Sequence, residues 1–529
     1  MTKRRESFFG MSVLLLVLLW NAACAGKPKT NSSSQAERAS VASGEAASAS
    51  ISSKSHVFAT NNLLVARYSI QLNEGDEAEV EFGPTTSYGL RTWKQSAPDG
   101  GGVEDFLVAG MQPSTRYHMR AAVQRADGTS YKDTDQVFVT GAVPAAWIPA
   151  VSVMRTGEGS PSSGVELLSL NSESPKLEAV AYDLRGNLIW YYGFGAEEAS
   201  DAPYPIKLLP NGHMMVLTTG VNDDIREVDL AGNLIRDLPY LELDHRLYTR
   251  GFPITIAGFS HDFVILPNGH TVIIGTIQLP FTNLPGYPGK ILVGGDALID
   301  LDEEGEPTWV WSSFDHLDIN RHPFGLPDWT HANALVYSPD DGNIILSLRN
   351  QSWVIKIDYR DGQGTGKVLW RLGAGGDFTL TNGGIEDWNY GQHFPSILPP
   401  ASTGIFDLGL FDNGTNRPIN AAGATCTLKT VPPCYSRPVV FQLNETAMTA
   451  TIAWQNPLAT YSFCCGNMDL LANGSMEFDI AAAEQQPQFS TVEEVTYTSD
   501  PQLMWQMIVQ GQLAYRATRL PSLYPGVQW

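Results

Sequence analysis

The strongest constraint on the fold of this chain is a two-part unit that recurs along residues 145–529. One part reads as a strand, a turn and a second strand that ends in Trp or an apolar pair, as in Ala181–Trp190. Its six copies start near residues 181, 227, 298, 356, 441 and 494. The other part is a hairpin around Asn-Gly or Gly-Asn, dipeptides that supply the positive φ of tight β-turns. Because one unit cannot bury its apolar face alone, the units must stack on one another.

The second kind of hairpin is expected at residues 207–213, 264–270, 334–343, 396–414 and 470–474, with a weaker first copy at 151–170. Two hairpins per unit and six units predict four-stranded blades that close into a six-bladed β-propeller over residues 143–529. The 49 Gly and 33 Pro favour such a turn-rich, all-β protein over a helical one. The segment 514–526 is then expected to pack against the first blade or against the domain in front.

A smaller domain is predicted in front, over residues 56–142, where apolar and polar residues alternate in short runs. Gly110, Pro113 and Tyr117 stand in the pattern of the tyrosine corner, in which a Tyr hydroxyl ties back to upstream backbone. This favours a fibronectin type III-like β-sandwich, for which a structural role or a role in dimerisation is the default expectation.

The N-terminus is predicted to be an export signal covering residues 1–23. Basic residues at positions 3–5 precede an apolar stretch, 8–20, that is too short to span a bilayer. Cys24 follows two alanines, a pattern that favours lipidation of this cysteine as in bacterial lipoproteins. The alternative is ordinary cleavage after Ala25.

Residues 24–55 are rich in Ser and Ala and contain no aromatic residue, so they are predicted to be a flexible tether. The protein is therefore expected to be exported, to the periplasm or the cell surface, and lipid-anchored to a bacterial membrane. Apart from that anchor, no contact with a membrane is predicted.

The formal net charge of −22 argues against nucleic acid as a partner. An anionic substrate would therefore have to be bound by a local cationic pocket, against the field of the whole chain.

Four cysteines follow Cys24, and in an oxidising compartment three pairings are open. A disulfide between Cys426 and Cys434 is favoured because it would close a Pro-rich insertion. The adjacent Cys464 and Cys465 are either two free thiols or a strained eight-membered ring. No spacing resembles a zinc site, and neither a metal nor a cofactor is predicted.

Three of the ten histidines, His261, His331 and His393, share one place in the repeat, where each is expected to open the inner strand of its blade. Inner strands line the central channel, so these side chains are predicted to meet at its mouth. The alternative is that the three histidines are only hydrogen-bonded residues that line the channel, without a role in function. By contrast, His213 and His270 follow Asn-Gly in equivalent turns and are expected to be structural.

The residues around two of these histidines resemble the bacterial arylsulfate sulfotransferase family. The match is carried by Asp328-Trp-Thr-His331-Ala-Asn333 together with Leu346-Ser-Leu-Arg349-Asn-Gln351, and by Trp388 with Gln392-His393. Ser260-His261-Asp262, followed by Leu-Pro-Asn-Gly, fits the same pattern. The similarity covers residues 145–529 and extends to the sandwich.

The resemblance implies an enzyme that moves a sulfuryl group from a phenolic sulfate ester to an acceptor phenol, without a nucleotide sulfate donor. His393 takes the role of the nucleophile, which passes through a sulfohistidine in a ping-pong reaction. Arg349 and Asn333 would bind the sulfate oxygens, and either His261 or His331 would act as the acid–base. A homodimer through the sandwich is also implied.

Two other functions compete with this one. A non-catalytic propeller scaffold at the cell surface is open because a fold does not fix a function. A quinone-cofactor dehydrogenase is suggested by Ala181–Trp190 and by Cys464-Cys465, but such enzymes usually have eight blades and calcium-binding carboxylates. The blade count of six therefore favours the sulfotransferase.

Overall fold

A computed structural model describes residues 55–171, 177–193, 202–219, 223–419, 423–427, 434–482 and 489–529. The signal peptide, lipidation site and tether predicted over residues 1–55 lie outside this part, apart from the last residue of the tether. None of the helices in the described part has the length and apolar character needed to cross a bilayer.

The N-terminal part consists of two small sheets that enclose a common apolar core. Its strands are β1 (His56–Ala59), β2 (Ala66–Leu72), β3 (Glu77–Gly83), β4 (Leu90–Arg91), β5 (Gln95–Ser96), β6 (Gly102–Val108), β7 (Arg116–Gln124), β8 (Ser130–Lys132) and β9 (Gln136–Val139). One sheet has the order β1-β2-β6, and the other has the order β4-β3-β7-β8, with β5 on β3 and β9 on β7. The backbone N–H of Gln112 donates to the Tyr117 hydroxyl over 3.0 Å, so the predicted tyrosine corner is confirmed.

Residues 145–312 form twelve antiparallel strands and one α-helix. After a 3₁₀ turn (Ala145–Trp147) come β10 (Ala150–Arg155), β11 (Val165–Asn171), β12 (Ala179–Asp183), β13 (Leu188–Tyr192), β14 (Ala202–Leu208), β15 (Met214–Thr219), β16 (Asp224–Val228), β17 (Leu234–Pro239), helix α1 (Tyr240–Arg250), β18 (Ile256–Ile265), β19 (Thr271–Leu284), β20 (Tyr287–Leu301) and β21 (Pro307–Ser312). The helix ends at Gly251, whose φ of 80° is the left-handed conformation common at helix C-termini.

The rest of the chain continues the same pattern to its C-terminus. It contains α2 (Ser313–His316), β22 (Ala332–Ser338), β23 (Asn343–Leu348), a 3₁₀ turn (Arg349–Gln351), β24 (Trp353–Ile357), β25 (Val368–Leu372), β26 (Thr379–Leu380), a 3₁₀ turn (Ile385–Asp387), β27 (His393–Ser402), β28 (Ile405–Asp412), β29 (Arg437–Asn444), β30 (Thr449–Gln455), β31 (Met468–Leu470), β32 (Met476–Ile480), β33 (Phe489–Val495), β34 (Leu503–Gln510) and β35 (Leu513–Leu520).

These strands form six sheets, all antiparallel apart from the β26–β30 pair. Three are the runs β14–β17, β18–β21 and β22–β25. Two have five strands, in the orders β26-β30-β29-β28-β27 and β10-β34-β33-β32-β31, and the sixth has the order β13-β12-β11-β35. Each of the six predicted Trp-type hairpins is the third-to-fourth strand pair of one sheet, which confirms that part of the repeat.

Two predicted hairpins are wrong. Residues 151–170 do not pair with each other, because β10 joins the edge of the sheet that contains β34 whereas β11 pairs with β35. The β27–β28 turn lies at Ser402 and Ile405, so Asn413-Gly414 follows the end of β28 instead of forming that turn.

The first strands of successive sheets contact one another in the order β14, β18, β22, β27 and β31, and β35 contacts both β14 and β32. The last strand thus joins the two ends of the series. As expected, the segment after it reaches the front domain, because the backbone N–H of Ala109 donates to the Tyr524 hydroxyl over 2.7 Å.

Candidate active site

The three histidines lie at β-bulges in three successive sheets. The strand register shifts between Ser260 and Phe263 in β18, at residues 332–334 in β22, and between His393 and Ser396 in β27. The φ angles of His261 and His331 are 35° and 50°, values uncommon for any residue except glycine. Such bulges change the direction of a side chain relative to the pleat, and they are frequent next to active sites.

The expectation that each histidine opens a strand is confirmed for His393, which is the first residue of β27. His331 precedes the first residue of β22. For His261 the expectation is wrong, because its bulge interrupts β18 without ending it.

The histidines nevertheless meet, as the repeat predicts. The ring centroids of His261 and His331 are 4.7 Å apart, and the ring of Tyr515 lies 5.8 Å from that of His261. Burial lowers the pKa of His261, and the charge of His331 lowers it further. Both rings also lower the pKa of His393, so all three belong to one cluster.

His393 is only 2% exposed and is held at both ring nitrogens. Its Nδ1 lies 2.6 Å from Oδ1 of Asn413, and the backbone N–H of Cys465 donates to its Nε2 over 3.2 Å. Burial lowers the pKa of His393 well below its ordinary value, and the positive charge of Arg349 lowers it further. This imidazole is therefore neutral at neutral pH, the form in which a histidine is a nucleophile.

His331 has a different partner, a carboxylate. Its Nδ1 lies 2.6 Å from Oδ2 of Asp328. Burial acts to raise the pKa of Asp328, but the charge of His331, its hydrogen bond and the charge of Arg349 together lower that pKa to about 2. The carboxylate is thus ionised, and it orients His331 so that Nε2 is the nitrogen that can gain or lose a proton.

Arg349 lies on the 3₁₀ turn after β23 and is only partly satisfied. Its Nη1 donates to Oδ1 of Asn350 over 2.8 Å, and its Nη2 donates to the carbonyl of Phe463 over 3.2 Å. Its buried Nε has no hydrogen-bond partner among the described residues. An unpaired buried donor is costly, so a guanidinium in this state is suited to bind an anion.

Asn333 is fully buried beside the peptide that leads into His393. Its Nδ2 donates to the carbonyl of Gln392 over 2.8 Å, whereas its Oδ1 has no partner in the described part of the chain. Its own carbonyl accepts from Nη2 of Arg516 over 2.7 Å. Asn333 therefore connects β22 to the start of β27.

Asp262 forms a buried ion-pair cluster next to the histidines. Its two cationic partners, Lys207 and Arg516, were not predicted from the sequence. Asp262 is fully buried, and its Oδ1 lies 2.8 Å from Nζ of Lys207 and 3.1 Å from Nη1 of Arg516. Its Oδ2 accepts from the backbone N–H of Leu335. Burial would raise the pKa of Asp262, but Arg516 and Lys207 lower it overall. The carboxylate therefore ties β14, β18, β22 and β35 together.

Three aromatic residues of the histidine motifs, Trp329, Trp388 and Phe394, pack against other side chains. Trp329 stacks on Phe314 with centroids 5.1 Å apart, and Trp388 lies in the core against Phe441. Phe394 lies beneath the guanidinium of Arg516 at 4.6 Å. Phe324, which the sequence did not single out, faces the guanidinium of Arg349 at 5.3 Å.

The predicted disulfide between Cys426 and Cys434 is confirmed. Cys464 and Cys465 are not joined in this structure, and their sulfur atoms lie 2.8 Å apart. Among the described residues, no group of three or more His, Cys, Asp or Glu side chains could hold a metal ion.

A family model described as "Arylsulfotransferase (ASST)" matches residues 151–516. The chain belongs to the arylsulfotransferase family. Membership in this family implies aryl sulfotransferase activity on phenolic substrates, and the resemblance found in the sequence is thereby confirmed. The matched residues include all three histidines of the cluster and Arg349.

Two solved structures similar to this arylsulfotransferase come from Bacteroides. A protein of unknown function from Bacteroides caccae has 10% identity and a TM-score of 0.39, covering 67% of this chain and 98% of its own. A putative 6-phosphogluconolactonase from Bacteroides fragilis has 11% identity and a TM-score of 0.35, covering 84% of this chain and 98% of its own. No curated protein matches the chain.

Sequence reasoning missed several members of this arylsulfotransferase site. Asp328 had a detectable signal, since it stands three residues before His331 in the same motif. Asn413 was taken for a turn residue, and Arg516, Lys207 and Cys465 carried no signal because they come from elements distant in sequence.

Proposed function

We propose that this arylsulfotransferase transfers a sulfuryl group from a phenolic sulfate ester to an acceptor phenol through a sulfohistidine on His393. The observation that carries the proposal is the state of that imidazole. It is buried and neutral, and it belongs to a cluster with an unsatisfied guanidinium donor on Arg349. A neutral nucleophile beside an anion-binding donor is what attack on a sulfate monoester requires.

In the first half-reaction Nε2 of His393 forms a bond to sulfur, and the bond from sulfur to the aryl oxygen breaks. Arg349 stabilises the sulfuryl oxygens, which carry the negative charge in the loose transition state expected by analogy with phosphoryl transfer. In the second half-reaction the acceptor oxygen attacks sulfur, the N–S bond breaks, and neutral His393 is restored. Asn333, through its contact with the Gln392 carbonyl, holds His393 at the start of β27.

His331 is the acid–base in this proposal because it alone among the three histidines has a carboxylate on Nδ1. Its Nε2–H protonates the departing phenolate, and the same nitrogen then takes the proton of the acceptor phenol. His261, whose Nδ1 lies 2.7 Å from the Ser260 hydroxyl, is kept neutral by burial and contributes a hydrogen bond to the bound sulfate.

The aryl group would occupy a cavity of about 270 Å³ whose lining includes Phe324, the ring that faces the guanidinium of Arg349. Tyr390 and Thr425 also line it, and Thr425 immediately precedes Cys426 of the disulfide. A larger cavity, about 430 Å³, lies against Trp454 and Tyr497, and neither cavity is lined by any of the three histidines. We assign the smaller cavity to the substrate because its wall includes Phe324, which faces the guanidinium of Arg349.

We further propose that the six sheets are the blades of a six-bladed β-propeller. The serial contacts of their first strands and the closing position of β35 support this arrangement. The two sheets in front, with their tyrosine corner, would then be the fibronectin type III-like sandwich and the surface for a homodimer. Sedimentation of the full chain, compared with a variant that lacks the sandwich, would test the dimer.

We also propose that the protein is exported and that Cys24 carries a lipid. This proposal rests on the N-terminal sequence pattern and is compatible with the disulfide, since disulfides persist in oxidising compartments. Membrane fractionation of Cys24→Ala cells tests it, because loss of the lipid would release the protein into the soluble fraction.

The decisive experiment is release of 4-nitrophenol from 4-nitrophenyl sulfate, with and without phenol as acceptor. His393→Ala should lower acceptor-dependent release by roughly 10³-fold or more, with an unchanged melting temperature. His245→Ala, which removes an exposed histidine of α1, is the matched control and should retain full activity. Double-reciprocal plots should be parallel, as expected for a ping-pong reaction. Retained turnover in His393→Ala, or intersecting lines, would exclude the covalent mechanism.

A further inference from the structure

Asn413, which comes directly after β28, has an amide whose orientation is determined by its surroundings. The residue is fully buried. Its Nδ2 donates to the carbonyl of Ser462 over 3.0 Å and to the carbonyl of Cys465 over 3.1 Å. Because both of these partners can only accept, the NH₂ group must face them, and Oδ1 must face His393.

This orientation determines the tautomer of His393. Oδ1 of Asn413 can only accept, so the ring nitrogen 2.6 Å away, Nδ1, must carry the proton. The lone pair of the neutral ring is then on Nε2, the nitrogen that accepts from the backbone N–H of Cys465. With the opposite tautomer Nε2 would carry a proton and could not attack sulfur.

The segment that contains Ser462 and Cys465 also donates a hydrogen bond to Nε2 of His393. Cys465 has a φ of 66°, a left-handed conformation. Its carbonyl accepts from Asn413, while its backbone N–H donates to Nε2 of His393. The segment 462–465 therefore fixes both the amide that sets the tautomer and a donor directed at the reacting nitrogen.

The neutral charge of Asn413 has a chemical consequence. A carboxylate at this position would favour the imidazolium form, as charge pairing does for histidines in general. An amide orients the ring without adding negative charge. His331 and His393 thus differ in the group that contacts Nδ1: it is the carboxylate of Asp328 for His331 and the amide of Asn413 for His393.

We propose that Asn413 is a positioning residue that keeps His393 in the Nδ1–H tautomer and retains this proton on the ring throughout the cycle. The inference rests on the proposed function of His393. When the N–S bond forms, the proton stays on Nδ1 in contact with Oδ1, and the backbone N–H of Cys465 moves from Nε2 to a sulfuryl oxygen. Because Oδ1 cannot take the proton, N–S cleavage by the acceptor returns a neutral imidazole with no proton transfer at His393.

The test is the pH dependence of the first turnover with the full chain, 4-nitrophenyl sulfate and no acceptor. In Asn413→Asp the added charge should move the acidic limb of the rate profile upward by about 1 pH unit or more. Asn413→Ala should lower the rate about 10- to 100-fold without such a movement. Asn444→Asp, which changes the last residue of β29, is the matched control and should leave the profile unchanged.

An acidic limb that stays in place in a folded, active Asn413→Asp variant would overturn the inference while leaving the nucleophile intact. If the wild type itself gives no burst of 4-nitrophenol, the proposed function fails instead. Because a buried carboxylate facing two carbonyls could prevent folding, the tautomer is also measured directly. The ¹⁵N spectrum of histidine-labelled wild type, assigned by comparison with His393→Ala, should show Nδ1 protonated and Nε2 unprotonated. The opposite tautomer, or an imidazolium at neutral pH, would contradict the inference.

Discussion

Two buried polar clusters lie on these sheets, and they differ in whether their arginine is paired with carboxylates. In the histidine cluster, Arg349 has no ion-pair partner among the described residues, and its Nε is left without an acceptor. In the second cluster, Arg519 forms ion pairs with three buried carboxylates, Glu166, Glu477 and Glu494. The first arrangement leaves a cation available for an anionic ligand, whereas the second uses its cation to hold the protein together.

The Arg519 cluster joins the two ends of the series of sheets. Arg519 is on β35 and Glu166 on β11, in the sheet that combines the first and last strands, while Glu477 and Glu494 are on the preceding sheet. Nη1 of Arg519 also donates to the carbonyl of Ser162 over 2.8 Å. The histidine cluster is thus the candidate site for chemistry, whereas the Arg519 cluster contributes to stability, and we expect that each can be changed without the other.

The largest expected effect is on stability. Arg519→Met leaves three buried carboxylates without their cation and should lower the free energy of unfolding by about 3–5 kcal/mol. Denaturant unfolding measures this loss, and the activity per folded molecule should stay normal. Arg67→Met is the control: its pair with Asp105 is exposed and spans 3.6 Å, so it should cost less than about 1 kcal/mol. Equal losses in the two variants would show that the cluster has no special role.

The next effect is on catalysis alone. Asp328→Asn removes the carboxylate from His331 and should lower kcat/KM by about 10- to 100-fold for aryl sulfates with poor leaving groups. The loss should be much smaller for 4-nitrophenyl sulfate, whose phenolate leaves without protonation. Asp135→Asn removes the carboxylate of another His–Asp pair, 2.7 Å from His118, and should leave both rates unchanged. A loss that does not depend on the leaving group would rule out His331 as the acid–base.

The smallest effect is a change in the pH dependence of stability. Burial and the nearby charge of Glu166 raise the pKa of Glu477 well above its ordinary value, despite Arg519. The pKa of Glu477 is therefore higher in the folded chain than in the unfolded chain. Its full contribution to stability is present below the unfolded pKa, and this contribution is lost as the pH rises toward the folded pKa. Glu477→Gln should therefore be more stable than wild type near pH 8 by about 1 kcal/mol, and the gain should shrink towards pH 4. Melting curves at the two pH values measure it; a gain that is larger at pH 4 would have the wrong sign.

The repeat in the sequence predicted most of the hairpins and the proximity of the three histidines. The six Trp-type hairpins, the tyrosine corner at Tyr117 and the convergence of His261 with His331 all follow from local turn chemistry and from equivalent positions in a repeat. The same reasoning failed at residues 151–170 and at Asn413-Gly414. In both places the pairing of a strand is decided by a partner distant in sequence, which periodicity does not report.

The sequence by itself determined the family, the all-β class, and the histidines and arginine of the candidate site, because these depend on residue type and on spacing within one repeat. Only the tertiary structure decided the protonation and orientation of those residues. The amide of Asn413 and the backbone of Cys465 reach His393 from 20 and 72 residues away, and the cations beside Asp262 come from β14 and β35. Burial and charge act through space, so the neutral, hydrogen-bonded state of His393 arises only when the sheets come together.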